Sequence, residues 1–169
     1  QAEPQLPDVY AVVNPNRLDE SREFSQLAAV GVAYLLTIAV NRCLRERGWY
    51  REERHEPDLL QWLDLVALGT VCDVVPLTGI NRAFVAQGLR IMARRSNVGL
   101  AALADVAGVQ DRPVTYHAGY ILGPRVNAGG RVGRSALGAR LLSTQDPTEA
   151  HEIALELDNF NRERQAIET

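Results

Sequence analysis

A chain of 169 residues, 46% hydrophobic and 23% charged, has the size and composition of one ordinary soluble domain with a real core. Its net charge of −3 excludes a global basic field for nucleic acid or membrane, so any such contact must be a local patch. The cysteines, Cys43 and Cys72, are too few for a disulfide framework or a cysteine-rich zinc site and read as reduced, buried thiols of a cytoplasmic protein.

In chain order, Asp8 to Val13 (DVYAVV) predicts a short buried strand closed by the turn Asn14-Pro15-Asn16. Ser25 reads as the N-cap of a helix running to about Arg47 and ended by Gly48. The apolar run inside it, Leu27 to Val40, is broken by Gly31 and Thr37. Its fourteen residues fall short of the roughly 20 that cross a bilayer. Residues 49 to 57 form a charged, exposed connection, with His55 solvated in it. From Asp58 a mostly apolar helical pattern leads to Cys72-Asp73-Val74-Val75-Pro76-Leu77, where Pro76 stops regular structure. Asn81 to about Arg94 predicts an amphipathic helix, and Val98 to Ala107 a short apolar one ended by Gly108.

Thr115 to Leu122 predicts one more helical segment, which runs into GPRVNAGGRVGRS. There three arginines and an asparagine stand among four glycines and a proline, a composition that predicts a loop. A short helix from Ala136 to Leu142 follows. A long one then starts at Pro147 with Asp146 as its N-cap. Its stripe of Ile153, Leu157, Phe160 and Ile167, interrupted by Asn159, Asn161 and Arg162, predicts a partly solvated connecting helix rather than a packed one. One strand among helices needs sheet partners, which are expected before Gln1. With no Met at position 1 and a helical pattern still running at Thr169, the chain is expected to be a piece of a longer protein.

Two places could carry chemistry. Asp73 is the only charge between Leu65 and Asn81, and a carboxylate in such a run must cap, pair (with Arg82, for example) or hold a metal; composition leaves these open. The glycines at 129, 130 and 133 would free backbone N–H groups, and Arg125, Asn127 and Arg131 would converge donors on an anion. The stretch matches neither a P-loop nor a dinucleotide fingerprint. His117 could reach this stretch or be satisfied in the core, and His151 reads as solvated. Asp64 reads as a polar-face residue. No aromatic side chain is expected near the arginines for base stacking, which counts against a purely nucleic-acid-binding module. All eighteen basic residues are Arg, a bias read as genome composition rather than function.

Three segments together resemble the DHH-family phosphoesterases: LPDVYAVVNPN with LAAVGVAYLL; LDLVALGTVCDVVPL, Leu63 to Leu77, followed by Asn81-Arg82; and GPRVNAGGR followed by ELDNFNRERQAIE. Their order and spacing agree over essentially the whole chain. The resemblance implies an α/β DHH phosphoesterase domain of which residues 1–145 form the C-terminal part. Residues 146–169 would begin the long helix linking to a DHHA1-type domain.

The resemblance further implies two divalent ions, Mn2+ or Mg2+, and hydrolysis of phosphodiester bonds, in this branch 5′→3′ from single-stranded DNA during repair and recombination. Asp73 matches the motif aspartate that ligates metal, while Arg125, Asn127, Gly129, Gly130 and Arg131 match the motif placed at the substrate cleft. Single-strand-binding protein or a helicase is the expected partner besides DNA, and no membrane is expected. A relative acting on short oligonucleotides or cyclic dinucleotides, or a non-catalytic nucleic-acid-binding module, is the alternative. The family's Asp-His-His triplet does not occur in this chain and is expected before Gln1, and its Gly-Gly-His motif beyond Thr169. Cys72 replaces a common Ala, and Arg134 stands where many relatives carry an acid. One aspartate cannot hold two metals, so these residues alone are expected to be inactive.

Overall fold

The computed structural model describes residues 7–131 and 134–167, with Arg131 described in its backbone only. Helices dominate. They are α1 (Ala29–Glu46), a 3-10 turn (Leu59–Trp62) running into α2 (Leu63–Cys72), α3 (Gly79–Met92), α4 (Val98–Val106), a π-helical turn (His117–Leu122) running into α5 (Gly123–Arg131), α6 (Ala136–Ser143) and α7 (Pro147–Ile167). Helices α2 and α3 pack against each other, and α7 lies against α4, α5 and α6.

Several ends fall where side-chain chemistry puts them. Asp146 accepts from the Thr148 N–H at 2.8 Å, Asn97 from the Leu100 N–H at 2.9 Å, and Asp58 from the Leu60 N–H at 3.0 Å. Gly48 and Gly108 follow α1 and α4 with φ of 65° and 73°. Ser25 does not cap α1. Its hydroxyl donates to the Arg22 carbonyl instead, and the helix begins four residues later with Ala28 in the cap position.

The strand expected over Asp8 to Val13 is not formed. Among the described residues there is no strand, only an isolated bridge between Arg51 and Arg54. Val9 and Val13 are exposed and Tyr10 fully so. An extended segment without a neighbouring strand leaves its N–H and C=O groups to water and gains no ladder.

The core has two parts. The larger gathers Leu68 of α2, Met92 of α3, Leu100 and Leu103 of α4, Leu122, Leu141 and, from α7, Ile153 and Leu157. The smaller joins Tyr34, Leu63, Val66 and Phe84, with Tyr34 and Phe84 edge to face at 5.5 Å and the Tyr34 hydroxyl donating to the Leu59 carbonyl. Thus α7 packs one face into the core, where its pattern predicted no packed helix, and leaves the other face to solvent. It buries Asp158 and Asn161 along with Ala150, Ile153, Ala154 and Leu157. Cys43 is exposed rather than buried, and Cys72 is half-buried.

Candidate active site

The run from Leu63 forms α2 because its residues are apolar and unbroken by Gly pairs or Pro until position 76. The helix stops at Asp73, whose N–H still donates to the Gly69 carbonyl at 2.9 Å. The next residue, Val74, stands at φ 55° and is 87% exposed. A β-branched residue in the left-handed region is strained by on the order of 1–3 kcal/mol. That strain turns the chain out of the helix directly after Asp73.

The turn is held by Asn81, 3% exposed, whose amide donates to the Pro76 carbonyl at 3.0 Å and to the Gln26 carbonyl at 2.7 Å. Asp73 itself is exposed, and among the described residues its carboxylate has no hydrogen bond or ion pair; Arg82 does not reach it. Of the three roles open to it, pairing is absent and the end of α2 is closed by backbone alone.

Asp64, expected on a polar face, is 1% exposed. Burial pushes its carboxyl above the usual carboxylate range, opposed by the Leu65 N–H that donates to Oδ1 at 2.7 Å. Burial likewise raises the Cys72 thiol, aided by the negative charge of Asp73.

GPRVNAGGR is not a loop. Gly123 to Arg131 is α5, continuous with the π turn before it. The π geometry has a local cause, since Pro124 has no N–H to offer the Tyr120 carbonyl, and Gly123 N–H donates five residues back, to Ala118. The glycines serve packing. A Cβ on Gly123 would stand 2.3 Å from Cys72 Sγ, and one on Gly129 would stand 2.8 Å from the Arg134 carbonyl and 3.2 Å from Leu157. The close approach at Gly123 sets the glycine–arginine helix against the end of α2, one residue from Asp73. Cys72, Gly119, Gly123, Pro124, Asn127 and Arg164 line a cavity of about 160 Å³ at this junction.

Within α5, Arg125 is engaged. Its Nε donates to Asp158 Oδ1 at 2.8 Å and its Nη1 to the Ile121 carbonyl at 2.8 Å. Arg162 takes the other Asp158 oxygen at 2.7 Å. Asn127 and Gly130 are exposed and Gly129 is buried. The Arg131 side chain and Gly133 lie outside the described residues. Arg134 pairs with Glu156 of α7. His117 accepts the Val114 N–H on Nδ1 at 3.2 Å, a local role, and His151 is exposed.

Sequence reasoning missed Asp158, Asn81 and the pair Tyr116 and Tyr120, whose exposed rings stack at 5.5 Å just before α5. The Arg125–Asp158 pair spans 33 residues, which no local pattern reveals. The aromatic pair stood in plain view as TYHAGY, an i,i+4 spacing on a helix.

Among the described residues no three His, Cys, Asp or Glu side chains gather into a metal-binding group, and no helix is long and apolar enough to cross a membrane. Asp73, unpaired and solvent-facing, fits as one oxygen ligand of a hard divalent ion.

No family model matches the chain. It is 43% identical, over 96% of its own length, to the single-stranded-DNA-specific exonuclease RecJ of Dickeya dadantii (strain 3937). A crystal structure of exonuclease RecJ bound to manganese superposes with a TM-score of 0.70 at 37% identity, over 82% of this chain and 33% of that one. RecJ from Thermus thermophilus in complex with Mg2+ superposes with a TM-score of 0.61 at 39% identity, over 66% of this chain and 18% of that one. The chain spans 29% of the length of the Dickeya protein. On sequence and fold alike, the chain belongs to the RecJ family, as a segment of under a third of such a protein.

Proposed function

We propose that this chain is part of a metal-dependent 5′→3′ exonuclease acting on single-stranded DNA, to which it supplies one metal ligand, Asp73, and one wall of the substrate cleft. The observation that carries the reading is the unpaired, exposed Asp73 carboxylate at a glycine-packed junction with the GPRVNAGGR helix. A divalent ion, Mn2+ or Mg2+, would supply activation of the attacking water and charge for the phosphate oxygens. The chain's own residues do the rest. Val74 and Asn81 fix where Asp73 stands. Arg125, tied to Asp158, locks α5 onto α7, and Asn127 with Arg131 offers donors to the substrate phosphates.

In this reading the chain is the C-terminal part of an α/β DHH domain, and α7 continues toward a DHHA1-type domain. The enzyme works in the cytoplasm with single-strand-binding protein or a helicase.

The test is Asp73→Asn in a full-length RecJ-type protein carrying this segment. Mn2+-dependent release of nucleotides from a labelled single strand is expected to fall at least 100-fold, with Mn2+ affinity weakened in calorimetry and Tm unchanged. Wild-type turnover in that variant removes Asp73 from the metal site.

A further inference from the structure

We infer that Tyr116 and Tyr120 form a stacking platform for a nucleobase of the single-stranded substrate, set one helical turn from the cavity at the end of α2. Tyr116 is 59% exposed and Tyr120 76%, yet their rings stack at 5.5 Å with 24° between planes. The His117 ring meets Tyr116 edge-on at 5.9 Å and 65°. The outer face of Tyr120 is left to solvent. Two large rings ordered against each other in water present a flat, rigid surface at low entropic cost, which is what a base needs to extend the column.

The position gives the platform its occupant. Tyr120 stands in the π turn between Gly119 and Gly123, both of which line that cavity. Gly123, Pro124 and Asn127 line the cavity together with Gly119, Cys72 and Arg164. A helical turn rises about 5.4 Å, so a base on Tyr120 lies within a nucleotide's reach of that polar cavity. Flat aromatic surface beside amide and guanidinium donors matches the two halves of a nucleotide, and it matches an apolar protein partner poorly. Gly119 and Gly123 bring this segment close against Val71 and Cys72 of α2, on the cavity's edge. The inference rests on the exonuclease reading for its substrate and adds to it a contact to the base, where arginines and metal address only phosphate.

The experiment compares a fluorescent single-stranded oligodeoxynucleotide with an abasic strand of equal length, bound to a full-length RecJ-type protein carrying this segment, in EDTA to prevent cleavage. Wild type is expected to bind the strand with bases more tightly. Tyr120→Leu is expected to lose roughly tenfold on that strand and nothing on the abasic one, while Tyr120→Phe keeps the preference. Should Tyr120→Leu fold poorly, 2-aminopurine placed along the strand reports stacking on the wild-type protein through quenching at one position.

An unchanged preference in Tyr120→Leu, equal losses on both strands, or no quenched position overturns the platform while leaving a cleaving enzyme intact. Absence of both binding and Mn2+-dependent cleavage in the wild type overturns the exonuclease reading and the platform with it.

Discussion

At the scale of single residues, burial decides what a carboxylate can do. Asp64 and Asp73 sit nine residues apart on one short stretch and meet opposite environments. Asp64 is buried with one backbone donor to its side chain, and its folded-state pKa is raised above the unfolded value. A raised acid pKa favours folding with the proton on. Its stabilising contribution is present below the unfolded pKa and is lost as pH rises through the folded one. Asp64→Asn, which keeps the shape without the charge, is therefore expected to stabilise the chain more at pH 7 than at pH 4, as read by urea unfolding at both. An advantage that shrinks as pH rises would refute the burial argument. Nothing in the spacing of LLQWLDLV separated a polar-face aspartate from a buried one, because α2 is apolar nearly all round and both its sides find partners.

Among elements, the joining of α5 to α7 is the one most open to measurement. Arg125 is 16% exposed and Asp158 3%, and breaking a buried pair by removing one partner strands a charge. Arg125→Met is expected to cost about 3 kcal/mol, the low end for such a break because Arg162 still holds Asp158 Oδ2. The double variant Arg125→Met with Asp158→Leu is expected to cost less than the sum of the singles in denaturant titrations. Strict additivity would show that the pair is not coupled.

These elements also show what a sequence can and cannot disclose. The helices from Gly79, Val98, Ala136 and Pro147 were legible because caps, glycine stops and 3.6-residue spacing act locally. Asp73 was legible as an isolated charge. The helicity of GPRVNAGGR was not, since glycine and proline carry a local penalty that contact with α2 and α7 overrides. The strand at Asp8 to Val13 failed for the converse reason: its pattern suited a strand, but pairing is a property of two segments. The burial of Asp158 on α7 was not legible because its partner, Arg125, lies 33 residues upstream.

For the whole molecule, the question is how much of an active centre these residues hold. One unpaired aspartate and no three-residue metal group among the described residues fall short of a site that clamps two ions. The 169-residue chain on its own is accordingly expected to leave a 5′-labelled single strand uncut in Mn2+, and its Tm is expected not to rise when Mn2+ is added, since a ligand that binds only weakly stabilises little. A product ladder from the purified chain would refute this. The side of α1 carrying Leu36 and Val40, both close to half exposed, is a surface whose apolar area gains nothing from water.

The contact between positions 72 and 123 has a consequence for how such chains drift. With sulfur at position 72, a Cβ at 123 has no room. With a methyl at 72, the nearest obstacle to that Cβ becomes the Ala118 carbonyl at 3.0 Å, which is tight but passable. The two sites must therefore change in order: loss of the thiol can precede loss of the glycine, and the reverse order collides. A survey of inherited sequences would meet cysteine at the first site in company with glycine at the second.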